Sequence, residues 1–227
     1  MSKLKLNIGC GSNAPADWIN IDNSLNARLA KWPWLRRMLT VLHIIPLSKA
    51  SISYPKNIHI HDVRRKLPFS DNCVEAVYCS HLLEHLSRPD ALFFTQECYR
   101  VLTSGGIIRI IVPDLIQYTR QYLKRTEQLD CKMPIEVLPS EKFLNDLGIL
   151  DKETCNESML MRFYRKICNK NTHKWMYDEY ALTAFLTQHG FSSIQRRLCC
   201  ESLIPGIEKL DTPERFNNAV CLEAKKI

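Results

Sequence analysis

Five short apolar runs recur through the first half of this chain, and each stops at a small or polar residue. Leu4 to Gly9 runs into Gly9-Cys10-Gly11, and Trp18 to Asp22 ends in an acid. Asn57 to His61 is followed by Asp62, Cys73 to Cys79 by Ser80-His81, and Ile107 to Val112 by Pro113-Asp114. Runs of this length, bounded by turn residues, read as strands. The last of them is apolar except for Arg109, as expected of a strand covered on both faces. Helix signals lie between and after them. Ser87 is placed to cap a helix, with Pro89 in its first turn and Asp90 three residues past the cap. Leu92, Cys98, Val101 and Leu102 are expected on its buried side, with Gly105-Gly106 ending it. A second helix is expected near 117–127. A third is capped by Asp178, carries Leu182, Phe185 and Leu186 on one face, and stops before Gly190. Ser193 to Cys199 and Ala219 to Ala224 read as two final strands. Strands alternating with helices predict an α/β, doubly wound sheet, which binds ligands at the carboxyl ends of its strands.

The chain has 227 residues, enough for one such domain (1–227) with a lid-like insertion near 24–56 and a helical insertion near 115–172. Hydrophobic residues make up 45%, so a packed core needs no disulfide scaffold. The ten cysteines contain no CxxC pair, which argues against a zinc ribbon or a redox motif. Met1 leads directly into a strand-like run. There is no signal-peptide pattern and no apolar stretch near 18 residues, so the expected location is the cytoplasm. The net charge of +7 is scattered, a weak pointer to an acidic partner. The stretch 28–47, with Trp32, Trp34, Arg36 and Arg37, has three readings: a lid, plain packing, or a weak contact with a membrane surface. The oligomeric state has no signature here.

The strand ends form a constellation. Gly9 and Gly11 permit a tight turn and a close backbone approach. Position 13 is Asn, and too few residues separate Gly11 from the next strand for a full helix; both facts disfavour a dinucleotide phosphate cradle. Asp22 can accept two ribose hydroxyls. Asp62 can accept from an adenine amino group while the Val63 amide reaches a ring nitrogen. Ser80 and His81 would form the far wall of the same crevice. Asp22 also reads as a solvated strand-end acid, and Asp62 as a cap on the Arg64-Arg65 turn.

Leu6-Asn7-Ile8-Gly9-Cys10-Gly11, Asp62 with Leu67-Pro68-Phe69-Ser70-Asp71, the segment Ser80 to Leu86, and Arg100 to Gly106 resemble, in order and spacing, motifs of class I S-adenosylmethionine-dependent methyltransferases. Leu182 to Phe191 is similar to their carboxyl-terminal helix and turn. The resemblance spans about 4–114 and 173–226. It implies a Rossmann-like, mostly parallel seven-stranded sheet with an antiparallel last strand. It also implies S-adenosylmethionine as cofactor, held by Asn7, Gly9, Cys10, Gly11, Asp22, Asp62, Val63, Ser80 and His81. Asn7 stands where the family usually has an acid. Trp18 to Asp22 and His173 to Asp178 resemble a subgroup often associated with bacterial surface-polysaccharide synthesis.

The expected activity is methyl transfer to an O or N of a small-molecule or saccharide acceptor. A hydroxyl acceptor needs a base. His173, His81 and Asp114 are the candidates, with His173 for the acceptor and His81 as cofactor wall; Tyr118, Arg120 and Tyr122 are further candidates to line the acceptor pocket. Two other classes stand beside this reading: a nucleic-acid methyltransferase, disfavoured by the lack of a basic-aromatic module, and a non-catalytic cofactor-binding scaffold. His81-Leu82-Leu83-Glu84-His85 also spells the inverted zinc-protease pattern H-x-x-E-H. No third ligand follows at a recognisable spacing, so no metal is expected.

Overall fold

A computed structural model describes residues 4–42, 54–127, 138–149 and 172–227. Seven strands form one sheet: β1 (Leu4–Ile8), β2 (Ile19–Asp22), β3 (Ile58–Ile60), β4 (Val74–Ser80), β5 (Leu102–Pro113), β6 (Phe191–Arg196) and β7 (Ala219–Lys226). Their order is β3-β2-β1-β4-β5-β7-β6. The first five are parallel, and β7 runs antiparallel between β5 and β6. This is the expected Rossmann-like sheet, including its antiparallel last strand. The direction of winding reverses between β1 and β4, which opens a crevice at their carboxyl ends.

Helices α1 (Leu25–Ala30) and α2 (Pro33–Val41) lie between β2 and β3. Helix α2 buries none of its residues, and Trp32 and Trp34 are exposed. The rest of the 28–47 stretch, from 43, lies outside the described residues. Helix α3 (Arg88–Val101) starts as expected: Ser87 Oγ accepts from the Asp90 amide (3.3 Å) and donates to Asp90 Oδ2 (2.6 Å). Its buried face is Ala91, Phe94, Cys98 and Val101, while Leu92 is exposed. The helix stops at Val101, ahead of Gly105-Gly106. The Arg100 and Val101 carbonyls are taken by the Asn72 and Cys73 amides, and Lys226 Nζ donates to the Leu102 carbonyl (2.8 Å). Tertiary partners for these carbonyls, rather than glycine, end the helix. Helices α4 (Leu115–Glu127) and α5 (Pro139–Asp146) follow β5, and α6 (Glu179–Gln188) is capped by Asp178 Oδ1 on the Ala181 amide (2.7 Å).

One face of the sheet packs Leu6, Ile8, Ile21, Val77, Cys79, Ile108 and Ile110 against α3 and against Leu182, Phe185 and Leu186 of α6. Each such side chain contributes about 1.5–3 kcal/mol by leaving water. The other face carries a polar row. Asn20 pairs with Asn7, Asn7 with Tyr78, Tyr78 with Arg109, and Arg109 with Glu223. All five are buried. The segment 198–216 covers this row, placing Ile204, Ile207 and Leu210 over Trp18, Tyr78 and Ile111. Arg109 donates to Asp211 Oδ2 (2.5 Å), to Glu223 Oε1 (2.8 Å) and to the Leu198 and Glu201 carbonyls. The one charge in an otherwise apolar strand is thereby fully partnered.

Candidate functional site

The chain turns immediately after β1. Gly9 (φ 72°) and Gly11 (φ 58°) adopt left-handed conformations that suit glycine. The Gly9 and Cys10 amides both donate to the Ile21 carbonyl (2.9 and 3.2 Å), and a Cβ on Gly9 would lie 3.2 Å from Leu82 Cβ. The turn is therefore pinned between β2 and the residues that follow β4. Cys10 is buried beside Ala27 and Ile58, and burial pushes its thiol up to about 12, so it stays protonated.

Asp22 closes β2 and is held from two sides. Its Oδ2 accepts from the Gly11 amide (2.8 Å) and its Oδ1 from the Ser24 amide (2.6 Å). A carboxylate has about four acceptor positions, so two remain for a ligand. Asp62, after β3, is gripped by Arg64, whose Nε and Nη2 donate to its two oxygens (2.9 and 2.6 Å) while the Arg64 amide adds a third bond. This pairing holds its carboxyl down at about 2. The turn-capping role of Asp62 is thus present, with acceptor capacity to spare. Val63 is buried in the main core. Asn7 spends both amide hydrogens inside the protein, on the Asn13 carbonyl and Asn20 Oδ1 (2.9 Å each). An acid at position 7 would face two acceptors, a local reason for Asn.

Beyond β4, Ser80 is buried and His81 takes a left-handed backbone conformation (φ 52°), which is uncommon outside glycine. Both His81 ring nitrogens are engaged: Nε2–H donates to the Arg215 carbonyl (2.9 Å), and Nδ1 lies 3.4 Å from Glu84 Oε1. Burial works against its imidazolium, but Glu84 and the Arg215 carbonyl outweigh it and raise the pKa. Residues Leu83–His85 form a single 3-10 turn, so H-x-x-E-H does not lie on a helix with its histidines one turn apart.

Glu84 is 0% exposed, and among the described residues neither carboxylate oxygen has a hydrogen-bond partner. Its carbonyl accepts from the Lys174 and Trp175 amides (2.8 and 3.2 Å). This draws His173 against His85, with ring centroids 4.9 Å apart. The His173 amide donates to the Gly148 carbonyl, and a Cβ at Gly148 (φ 64°) would lie 3.1 Å from His173 Nδ1. The Nδ1 atoms of both histidines are buried without a hydrogen-bond partner among the described residues. Burial lowers the pKa of His85, and nearby His173 and His81 act in the same direction against Glu84 and the Thr172 backbone. Tyr118 faces this region, its phenol raised by burial and by the charges of Asp146 and Glu84. Tyr122 instead stacks on Phe143 (4.8 Å), and Arg120 is exposed.

Asp114 stands apart from this cluster in role. Its Oδ1 accepts from the Ile116 amide (3.0 Å), capping α4, and its own amide donates to Asn218. Arg215 was not visible as a site residue in the sequence, because it sits in an irregular turn far along the chain. Its positive charge acts on Cys10, Tyr78 and His81, placing a cation near the carboxyl ends of β1 and β4. A groove lined by Glu75, Ala76, Thr103, Gly105, Leu203 and Pro205 lies at the amino ends of β4 and β5, the opposite edge from these side chains.

Residues 6–110 match the family model of a methyltransferase domain. No curated protein matches the chain. Among solved structures, it is similar to a SAM-dependent methyltransferase from Archaeoglobus fulgidus (16% identity, 99% of this chain and 86% of that one, TM-score 0.49). It is also similar to one from Methanosarcina mazei (14%, 100% and 94%, 0.49). A third is magnesium protoporphyrin IX methyltransferase from Synechocystis PCC 6803 with bound SAH (14%, 99% and 74%, 0.48). Among the described residues no helix is long and apolar enough to cross a membrane. The matched segment, 6–110, is a little under half of the chain; it holds β1 to β4, most of β5 and the whole turn-and-acid constellation, and it is similar to a methyltransferase domain.

Proposed function

We propose that this protein transfers the methyl group of S-adenosylmethionine to an oxygen or nitrogen of a small-molecule or saccharide acceptor seated against Glu84, His85 and His173. The observation that carries the reading is this buried cluster of unpartnered acceptors at the carboxyl end of β4, beside the crevice. Asp22 takes the ribose hydroxyls, and Asp62 with the Val63 amide takes the adenine. The Gly9-Cys10-Gly11 turn, Ser80 and His81 wall the methionine end, and Arg215 supplies a cation for its carboxylate.

The sulfonium already activates the methyl group, so the protein's work is orientation and proton removal. S-adenosylmethionine, when bound, would supply the activated methyl group, and His173 would take the proton of an acceptor O–H. His85 and Glu84 stand behind His173. His81 has neither ring nitrogen to spare, which supports a wall rather than a base.

Two measurements test this. S-adenosylhomocysteine at a hundred times its Kd adds about 2.7 kcal/mol to a protein that binds it, or roughly 5–10 °C in Tm for a chain of this size. Wild type shows that shift, and Asp22→Ala loses it. With a labelled cofactor and a panel of sugars, phenols and amines, His173→Ala lowers turnover about 100-fold or more with cofactor affinity kept. Equal methylation by the variant removes His173 as the base.

A further inference from the structure

Glu84 presents a puzzle that hydrogen bonding does not solve. A carboxylate with no solvent exposure and no donor on either oxygen is costly, and such groups are normally paired or bound to a metal. The nearest positive group is His81 Nδ1 at 3.4 Å, on Oε1 only. The other polar neighbours are histidines. One ring nitrogen of His85, one of His173 and a Glu84 oxygen lie within 4.8 Å of one another. The turn at Leu83–His85, the strap at 172–175 and Gly148 all converge to hold them there.

We propose that Glu84, His85 and His173 bind a single late first-row divalent cation, zinc or a neighbour such as cobalt or iron(II), with positions left open for water or an acceptor oxygen. Two imidazoles and one carboxylate are a donor set that suits these ions and leaves sites vacant. Ions of this kind hold N and O ligands at about 2.0–2.2 Å, which sets neighbouring ligands about 3–3.5 Å apart. The trio, now within 4.8 Å, has to draw together to reach that spacing. The arrangement also differs from a zinc-protease motif. His81 spends Nε2 on the Arg215 carbonyl and meets Glu84 only through Nδ1, Glu84 is a ligand and not a base, and the third ligand comes from the strap between α5 and α6.

The site stands on these side chains alone; its use in catalysis rests on the methyl-transfer reading above. With the ion in place, an acceptor hydroxyl bound to it loses its proton to solvent more readily. His173 then serves the same acceptor through the ion, in place of the direct proton transfer proposed for the ion-free site. A second cluster, Cys199, Cys200 and Asp211, also brings three ligand types together. Asp211 is already committed there to Arg109 and the Cys200 amide, so that cluster carries no proposal.

The test uses the full chain, stripped with chelator and titrated with Co²⁺ or Zn²⁺ in the presence and absence of S-adenosylhomocysteine. Wild type retains one equivalent through gel filtration, shows visible cobalt bands without a thiolate charge-transfer band, and gains thermal stability with the ion. Glu84→Gln, His85→Gln and His173→Gln each weaken binding by more than about 100-fold, since even outer partners of a metal site are worth 10–100-fold. The double variant Cys199→Ser/Cys200→Ser binds like wild type. No retained ion in a folded wild type, undiminished binding in the three single variants, or a thiolate band in the wild-type spectrum overturns the site. The wild-type spectrum decides the matter even if a variant fails to fold. An intact S-adenosylhomocysteine shift without the ion defeats the metal site alone; a retained ion without that shift defeats the methyl-transfer reading alone.

Discussion

Two buried charge clusters flank the centre of the sheet, and they are built on opposite principles. Around Arg109 every charged atom has a partner: Asp211, Glu223, two backbone carbonyls, and a Ser202 hydroxyl on Glu223. Around Glu84 the carboxylate oxygens and two histidine nitrogens lack hydrogen bonds among the described residues, and Glu84 Oε1 has only His81 and His85 at 3.4 and 3.9 Å. The first arrangement rigidifies; the second leaves acceptors free and close together. Buried polar groups that serve only the fold are satisfied by the fold. On the proposals above, the ones beside the crevice are left for a ligand.

The sharpest way to break this contrast is Arg109→Met. Removing one member of a buried ion network strands the others, at a cost of about 3–5 kcal/mol. Tm should fall by roughly 6–20 °C; a drop under 1 °C in thermal unfolding would mean that the network is ornamental. Glu84→Gln tests the other side. It removes a buried carboxylate oxygen that makes no hydrogen bond while keeping shape, so denaturant unfolding should stay within about 1 kcal/mol of wild type. Methyl transfer should fall about 100-fold. If stability collapses and activity survives, Glu84 belongs with Arg109 as a structural group. Asn7→Asp extends the test to the polar row. It sets a carboxylate against the Asn13 carbonyl and Asn20 Oδ1, and urea unfolding should register a loss of about 1–3 kcal/mol.

Asp62 and Arg64 give the comparison a solvent-facing third point. The folded carboxyl titrates at about 2 against an ordinary 3.8. Because its folded pKa is depressed, the pair's contribution is present above 3.8 and drains away as pH falls toward 2. Partial exposure and salt keep it to about 1 kcal/mol or less. The urea midpoints of wild type and Asp62→Asn should therefore converge through that acid window. A constant gap across it would show that the pair does not govern the titration.

The parallel strands, their glycine and acid endings, and the caps at Ser87 and Asp178 were legible in the sequence because each is a local pattern. What escaped is tertiary. Leu92 looked inward by type, but the helix phase set by Ala91, Phe94, Cys98 and Val101 turns it out. Gly105-Gly106 looked like a helix stop, yet Lys226 and the 72–73 backbone end the helix earlier. Asn7 read as a departure at the methionine end, and only its pairing with Asn20 on the next strand explains it. Arg215 and the approach of His173 to His85 depend on loops that no periodicity announces.

The polar row across the sheet has a consequence for how the chain is made. Arg109 lies on the central strand β5, yet its acidic partners Asp211 and Glu223 come 102 and 114 residues later in the chain. Until Asp211 and Glu223 emerge, a nascent chain that buried β5 would bury a bare cation. The centre of the sheet is therefore barred from maturing until that later segment has been made. Chains that stop between β5 and β7 carry that bare cation permanently, which marks them for clearance rather than for accumulation as half-finished enzyme.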